Sequence, residues 1–103
     1  MMKKIIISFC ALFVSTALFA ADDVISTARQ LATNADYYKA LMEYTKALKT
    51  EKKDPDLFFE RGDVKYHLEN YSGAIVDYTS SLQLETSSQT YVARGKAYLL
   101  DKQ

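Results

Sequence analysis

Tyr71, Ala74, Ile75, Tyr78, Ser81 and Leu82 follow one another at steps of three and four residues. That spacing gathers them on one face of an α-helix. Tyr37, Ala40, Leu41, Tyr44, Ala47 and Leu48 repeat the pattern. Between the periodic stretches lie short polar breaks, Asn34-Ala35-Asp36 and Glu69-Asn70. Asp54-Pro55 has the form of a helix start, since Asp caps free amides and Pro suits the first helical position. The pattern predicts five helices, over 22–33, 37–50, 55–68, 71–84 and 88–101.

The segment ahead of these helices has a different pattern. Lys3 and Lys4 are followed by an apolar run from Ile5 to Phe19, interrupted only by Ser8, Ser15 and Thr16. Ala20, Ala21 and the acidic pair Asp22-Asp23 come next. A charged start, an apolar stretch of about 15 residues and a small-residue end describe a secretory signal peptide. Residues 1–20 are therefore expected to be removed, with the cut after Ala20, or after Ala21 as the alternative. Leu18 stands where a small residue is preferred, so the site is imperfect. The competing reading is an uncleaved anchor, but the run is shorter than the roughly 20 residues of a spanning helix. The expectation is an exported protein, periplasmic or secreted. The short Lys-Lys start and the Ala-rich end are of bacterial type.

The remainder repeats itself. Set against residues 71–82, residues 37–48 align without a gap at an offset of 34. Tyr37/Tyr71, Ala40/Ala74, Tyr44/Tyr78, Thr45/Thr79 and Leu48/Leu82 are identical, and Leu41/Ile75, Glu43/Asp77 and Ala47/Ser81 are conservative. A second echo joins helix starts: Phe58, Arg61 and Gly62 recur as Tyr91, Arg94 and Gly95, at an offset of 33. Periods of this length are the mark of stacked helix pairs.

These residues resemble the tetratricopeptide repeat, or TPR, family. In 55–88, Phe58, Gly62, Tyr71, Ala74 and Tyr78 fit the family pattern in order, Ser81 is a small substitute, and Thr86 replaces the usual Pro. In 21–54, Tyr37, Ala40, Tyr44 and Ala47 fit, while Val24 and Ala28 stand where an aromatic and Gly are usual. From 89 to 103 only the first helix of a third unit is present, with Tyr91 and Gly95 matching and Tyr98 expected in an interior position. The resemblance implies an all-α fold of antiparallel helix pairs stacked as a short solenoid of about two and a half repeats. It also implies a groove, lined by the first helices of successive units, that holds a peptide or protein. Arg29, Phe59, Asp63, Tyr66, Val92 and Lys96 match that lining by resemblance. They lack the basic and asparagine set with which some family members clamp a C-terminal carboxylate.

Composition narrows the functions further. With 49% hydrophobic and 25% charged residues the chain is of globular type, and three Gly with one Pro leave few turn-formers for a sheet-rich fold. The formal charge is zero, and without Lys3 and Lys4 it is 11 basic against 13 acidic residues, so no footprint for nucleic acid is present. Cys10 is the only cysteine and lies in the leader. His67 is the single histidine, so neither a Cys/His pair nor a convincing zinc set can be assembled after cleavage. Asp54, Asp56, Glu60 and Asp63 cluster at a helix start, where the dipole favours carboxylates. Tyr37, Tyr44, Tyr71, Tyr78 and Tyr98 are expected in the core rather than stacked on bases. No catalytic residue, cofactor, metal or small-molecule substrate is expected.

The expected function is thus a protein-interaction scaffold or adaptor. The alternatives are the repeat region of a larger, truncated exported enzyme, or a membrane-assembly factor that keeps its N-terminal segment as an anchor. The last helix ends Ala97-Tyr98-Leu99-Leu100, an apolar run where a following helix would pack. Truncation, docking on a second copy through Leu99 and Leu100, and docking on another protein are the three explanations for it.

Overall fold

A computed structural model of the chain describes residues 22–103. The expected leader and its expected cleavage site lie outside the described residues. The described residues form five helices: α1 over 22–33, α2 Tyr37–Thr50, α3 Pro55–His67, α4 Tyr71–Leu84 and α5 Ser88–Asp101. Each matches the expected span to within one residue. The fold is all-α, with helices packed in adjacent pairs: α2 on α3, α3 on α4 and α4 on α5, plus a smaller contact between α3 and α5.

Local chemistry explains where the helices begin. The Asp54 carboxylate accepts from the backbone N–H groups of Asp56 and Leu57, with Pro55 at the first helical position of α3. The Asn70 side chain accepts from the Gly73 amide, and the Ser87 hydroxyl from the Thr90 amide. Such caps satisfy amides that have no partner inside the helix.

The turns after α1 and α3 are built alike. Ala35 and Glu69, 34 positions apart, both take the left-handed conformation, at φ 60° and 62°. In the first turn the Asp36 amide reaches back to the Leu31 carbonyl; in the second, Asn70 reaches the Lys65 carbonyl. A left-handed residue followed by a six-to-one hydrogen bond is the Schellman arrangement, usually made with Gly. Here neither position is Gly, so both turns carry a conformational cost of roughly 1–2 kcal/mol.

Two apolar clusters form the core. Ala28, Ala40, Tyr44, Ala47, Leu48, Leu57 and Val64 join α1, α2 and α3, with Val24, Ile25, Leu31 and Leu68 packed around them. Ala74, Tyr78 and Ala97 join α4 and α5, flanked by Phe59, Tyr66, Ile75 and Ala93. Small residues sit at the crossings because helices can approach closely only there. At Gly62 the approach is tight: a Cβ built on it would lie 2.8 Å from Tyr78 Cε1 and 3.3 Å from Asp77 Cβ.

The tyrosines divide. Tyr44 and Tyr78 are fully buried, while Tyr37 and Tyr71 are half-buried. Tyr98 does not occupy the expected interior position. It is 47% exposed, because no helix among the described residues covers that side of α5.

A buried ionic cluster sits between α3 and α4. Asp77, 1% exposed, receives two hydrogen bonds from Arg61, each 2.8 Å, and an ion pair from Lys65 at 3.1 Å. The bidentate fork satisfies both carboxylate oxygens, which makes the burial of a charge tolerable. Arg61 also reaches the Thr45 hydroxyl on α2 at 3.5 Å and lies over the Phe58 ring at 5.8 Å. Arg94 does the same one unit later, reaching Thr79 on α4 at 3.3 Å and lying over Tyr91 at 5.3 Å. The repeat in sequence is therefore a repeat of contacts.

Candidate functional site

An open cleft of about 490 Å³ runs between α3 and α5. From α3 it takes Phe59, Asp63, Tyr66 and His67; from α5 it takes Ser88, Gln89, Val92, Ala93 and Lys96; Tyr78 of α4 contributes a further ring. Their placement follows from helical spacing. Residues 59, 63, 66 and 67 share one face of α3, and 89, 92, 93 and 96 share one face of α5.

Five of the six residues matched to a groove lining, Phe59, Asp63, Tyr66, Val92 and Lys96, line this one cleft. Arg29 lies apart, lining a separate hollow with Asp22, Ile25, Ser26 and Asp54. Its guanidinium is held by Glu60 of α3 at 3.1 Å, which fixes α1 to α3. Leu99 is 69% exposed on the outer side of α5, whereas Leu100 is half-buried.

The cleft residues differ in what else they do. The Phe59 ring packs on Tyr78 at 5.7 Å between centroids, and Tyr66 meets Tyr71 edge-on at 5.4 Å. Both therefore support the second core cluster as well as the cleft. Val92 and Lys96 are exposed and support little else. Asp63 accepts a 2.6 Å hydrogen bond from the Tyr78 hydroxyl. Burial raises the Asp63 carboxyl above its ordinary value, against the opposing effect of the Tyr78 hydrogen bond. Burial, and then the Asp63 carboxylate, push the Tyr78 hydroxyl far above the usual phenol range. The pair is a strut between α3 and α4 that also presents a partly desolvated acid to the cleft.

A second hollow, about 260 Å³, continues along the other flank of α3 and shares Asp63 and His67 with the first. Its walls include Thr33, Tyr37, Tyr44 and Glu60. His67, the single histidine, is exposed at the end of α3 and lines this hollow. Its ring stacks on Tyr37 at 4.7 Å with planes 5° apart, and Tyr66 stands edge-on at 6.0 Å. Sequence reasoning missed it as a lining residue. The signal was present in its spacing, four after Asp63 and eight after Phe59.

The acidic residues at the start of α3 are used in the fold: Asp54 caps, Glu60 pairs with Arg29 and Asp63 takes Tyr78. Among the described residues no group of three His, Cys, Asp or Glu side chains could hold a metal ion, and no helix is long and apolar enough to cross a membrane. What the cleft offers is an apolar and aromatic surface with an acid on the α3 wall and a base on the α5 wall. No family model matches this sequence, and no curated protein matches it.

Proposed function

We propose that the chain is an exported helical-repeat module of the tetratricopeptide type, a scaffold that holds a peptide or protein partner in the cleft between α3 and α5. The observation that carries this reading is the convergence of Phe59, Asp63, Tyr66, Val92 and Lys96 on one cleft. Support for the repeat comes from contacts that recur with its period: Arg61 to Thr45 and Arg94 to Thr79, and the left-handed turns at Ala35 and Glu69. An open, mostly apolar trough with both charge signs suits an extended or helical peptide of mixed charge. Export, to the periplasm or the exterior, rests on the signal-like pattern of residues 1–20.

The test uses photo-crosslinking in the native host. A crosslinking residue in place of Val92 should capture a discrete partner. One in place of Tyr38, 74% exposed on α2 and away from the cleft, should not. Lys96→Glu should weaken the Val92 adduct. Equal capture from both positions, or none from Val92, would remove the cleft as the binding site.

A further inference from the structure

One position of the repeat changes the sign of its charge from unit to unit. Arg29 of α1, Asp63 of α3 and Lys96 of α5 hold the same place in successive units, at offsets of 34 and 33. The hollows they line run into one another. That of Arg29 shares Thr33 with the second hollow, which in turn shares Asp63 and His67 with the cleft that Lys96 lines. A cation, an acid and a cation therefore stand in a row. Asp63, in the middle, lines two hollows and pairs with no Lys or Arg among the described residues. Arg29 is 53% exposed despite its bond to Glu60, and Lys96 is exposed. The row follows the first helix of each unit, so a unit added after α5 extends it and leaves it open.

We infer that this row selects a polyproline II segment of a partner protein, with an acid, a cation and a second acid at every third residue. The inference rests on the reading of the cleft as a peptide site, and adds the order and spacing of the ligand's charges. The order is the complement of Arg29, Asp63 and Lys96. The spacing comes from the helices, since packed helices lie roughly 8–10 Å apart. A polyproline II chain rises about 3.1 Å per residue with three residues per turn, so every third residue returns to one face about 9 Å further on. A β-strand covers that distance in three residues but turns the third to the opposite face. An α-helix is about 10–12 Å wide, so a 9 Å length of it fills on the order of 700–1000 Å³. The two hollows beside Asp63 enclose about 260 and 490 Å³. Their walls suit the slimmer chain: Phe59, Tyr66 and Tyr78 on one side and Tyr37 on the other are the aromatic lining on which proline-rich chains dock.

The probe is a capped synthetic heptapeptide, Glu-Pro-Leu-Arg-Pro-Leu-Glu, titrated into the isotope-labelled full chain and read by amide chemical shifts. Pro after the first two charged residues holds them in the extended region. The expected result is shift changes at Thr33, His67 and Val92 together. The charge-inverted peptide, Arg-Pro-Leu-Glu-Pro-Leu-Arg, should bind about tenfold less tightly. Gln in place of the central Arg should cost about tenfold on the parent chain and little on the Asp63→Asn chain. Lys96→Glu, at an exposed position, should prefer a peptide whose last residue is Arg. If Asp63→Asn fails to fold, the peptide series and Lys96→Glu decide. Equal affinity for the two charge orders, with shifts at Val92, would overturn the inference and leave the cleft reading standing. Equal affinity for peptides with the charges two or seven residues apart would overturn the polyproline form. No shifts with any peptide would also overturn it, while crosslinking from Val92 decides the cleft reading separately.

Discussion

The ring of Tyr78 occupies the space in which Gly62 would carry a side chain, with 2.8 Å between Tyr78 Cε1 and the site of the missing Cβ. A buried ring, 1% exposed and anchored through its hydroxyl to Asp63, cannot step aside. Gly62→Ala should therefore destabilise the fold by about 1–3 kcal/mol, despite the better helix propensity of Ala. Gly95, its counterpart, has open space around it. Gly95→Ala should stabilise by about 0.5–1 kcal/mol. Thermal unfolding of the two variants reads the contrast directly, and two shifts of the same sign would contradict it.

The Arg61–Asp77–Lys65 cluster gives a second expectation. Arg61→Met leaves the Asp77 carboxylate buried with Lys65 as its one remaining cation. The loss should be about 2–3 kcal/mol, below the full effect of stranding a buried charge because Lys65 remains. Arg61→Met with Asp77→Leu should recover much of it, since an apolar pair carries no desolvation penalty. Denaturant unfolding of the single and double variants measures the coupling. Simple additivity of the two effects would count against the cluster.

The left-handed turn residues offer a gain. Glu69→Gly keeps the backbone geometry at φ 62° and removes the crowding of a Cβ there. It should stabilise by about 0.5–1 kcal/mol, after allowing for the greater freedom of Gly in the unfolded chain. Ala35→Gly should behave alike, because its turn makes the same hydrogen bonds. A lower midpoint in either variant would show that the turn is not held as described.

Asp63 predicts a pH dependence. Its folded-state pKa is raised, chiefly by burial, so the folded protein binds this proton more tightly than the unfolded chain. The stability tied to that proton is fully present below the unfolded value of about 3.9 and is lost as pH rises through the raised folded value. At neutral pH the ionised carboxylate is therefore a net cost, one that the Tyr78 hydrogen bond only partly offsets. Asp63→Asn should be at least as stable as the parent at pH 7, and the difference should shrink towards pH 4. Stability curves of both proteins across this range test the sign.

Much of the fold was legible in the chain. The three-and-four spacing of Tyr, Ala and Leu gave the helices, Asp54-Pro55 gave a start that the cap bears out, and the polar break Glu69-Asn70 falls where α3 ends and α4 begins. Asp77 was not legible. In sequence it was only a conservative partner of Glu43, yet Asp77 is buried in an ionic cluster while Glu43 pairs at the surface with Lys46. Charge alone does not tell a helix which side will be covered. Tyr98 failed for the complementary reason: its spacing is that of a core residue, but burial needs a neighbour as well as a pattern. Of the cleft, Phe59, Asp63, Tyr66, Val92 and Lys96 came from the resemblance to the repeat family rather than from spacing alone. His67 was in register with them, four after Asp63, but its stacking on Tyr37 arises between helices that sequence periodicity treats separately.

Arg61 and Arg94 each reach back to a threonine on the helix before, across 16 and 15 residues of chain. The longest side-chain bond described, Arg29 to Glu60, spans 31. No contact of this kind has to wait for the ends of the chain to find each other, so the entropy of closing loops stays small at every step. Such a chain can begin to fold at any neighbouring pair of helices and spread outward, at speeds of the microsecond-to-millisecond class. Further units would lengthen the molecule without adding a slower step.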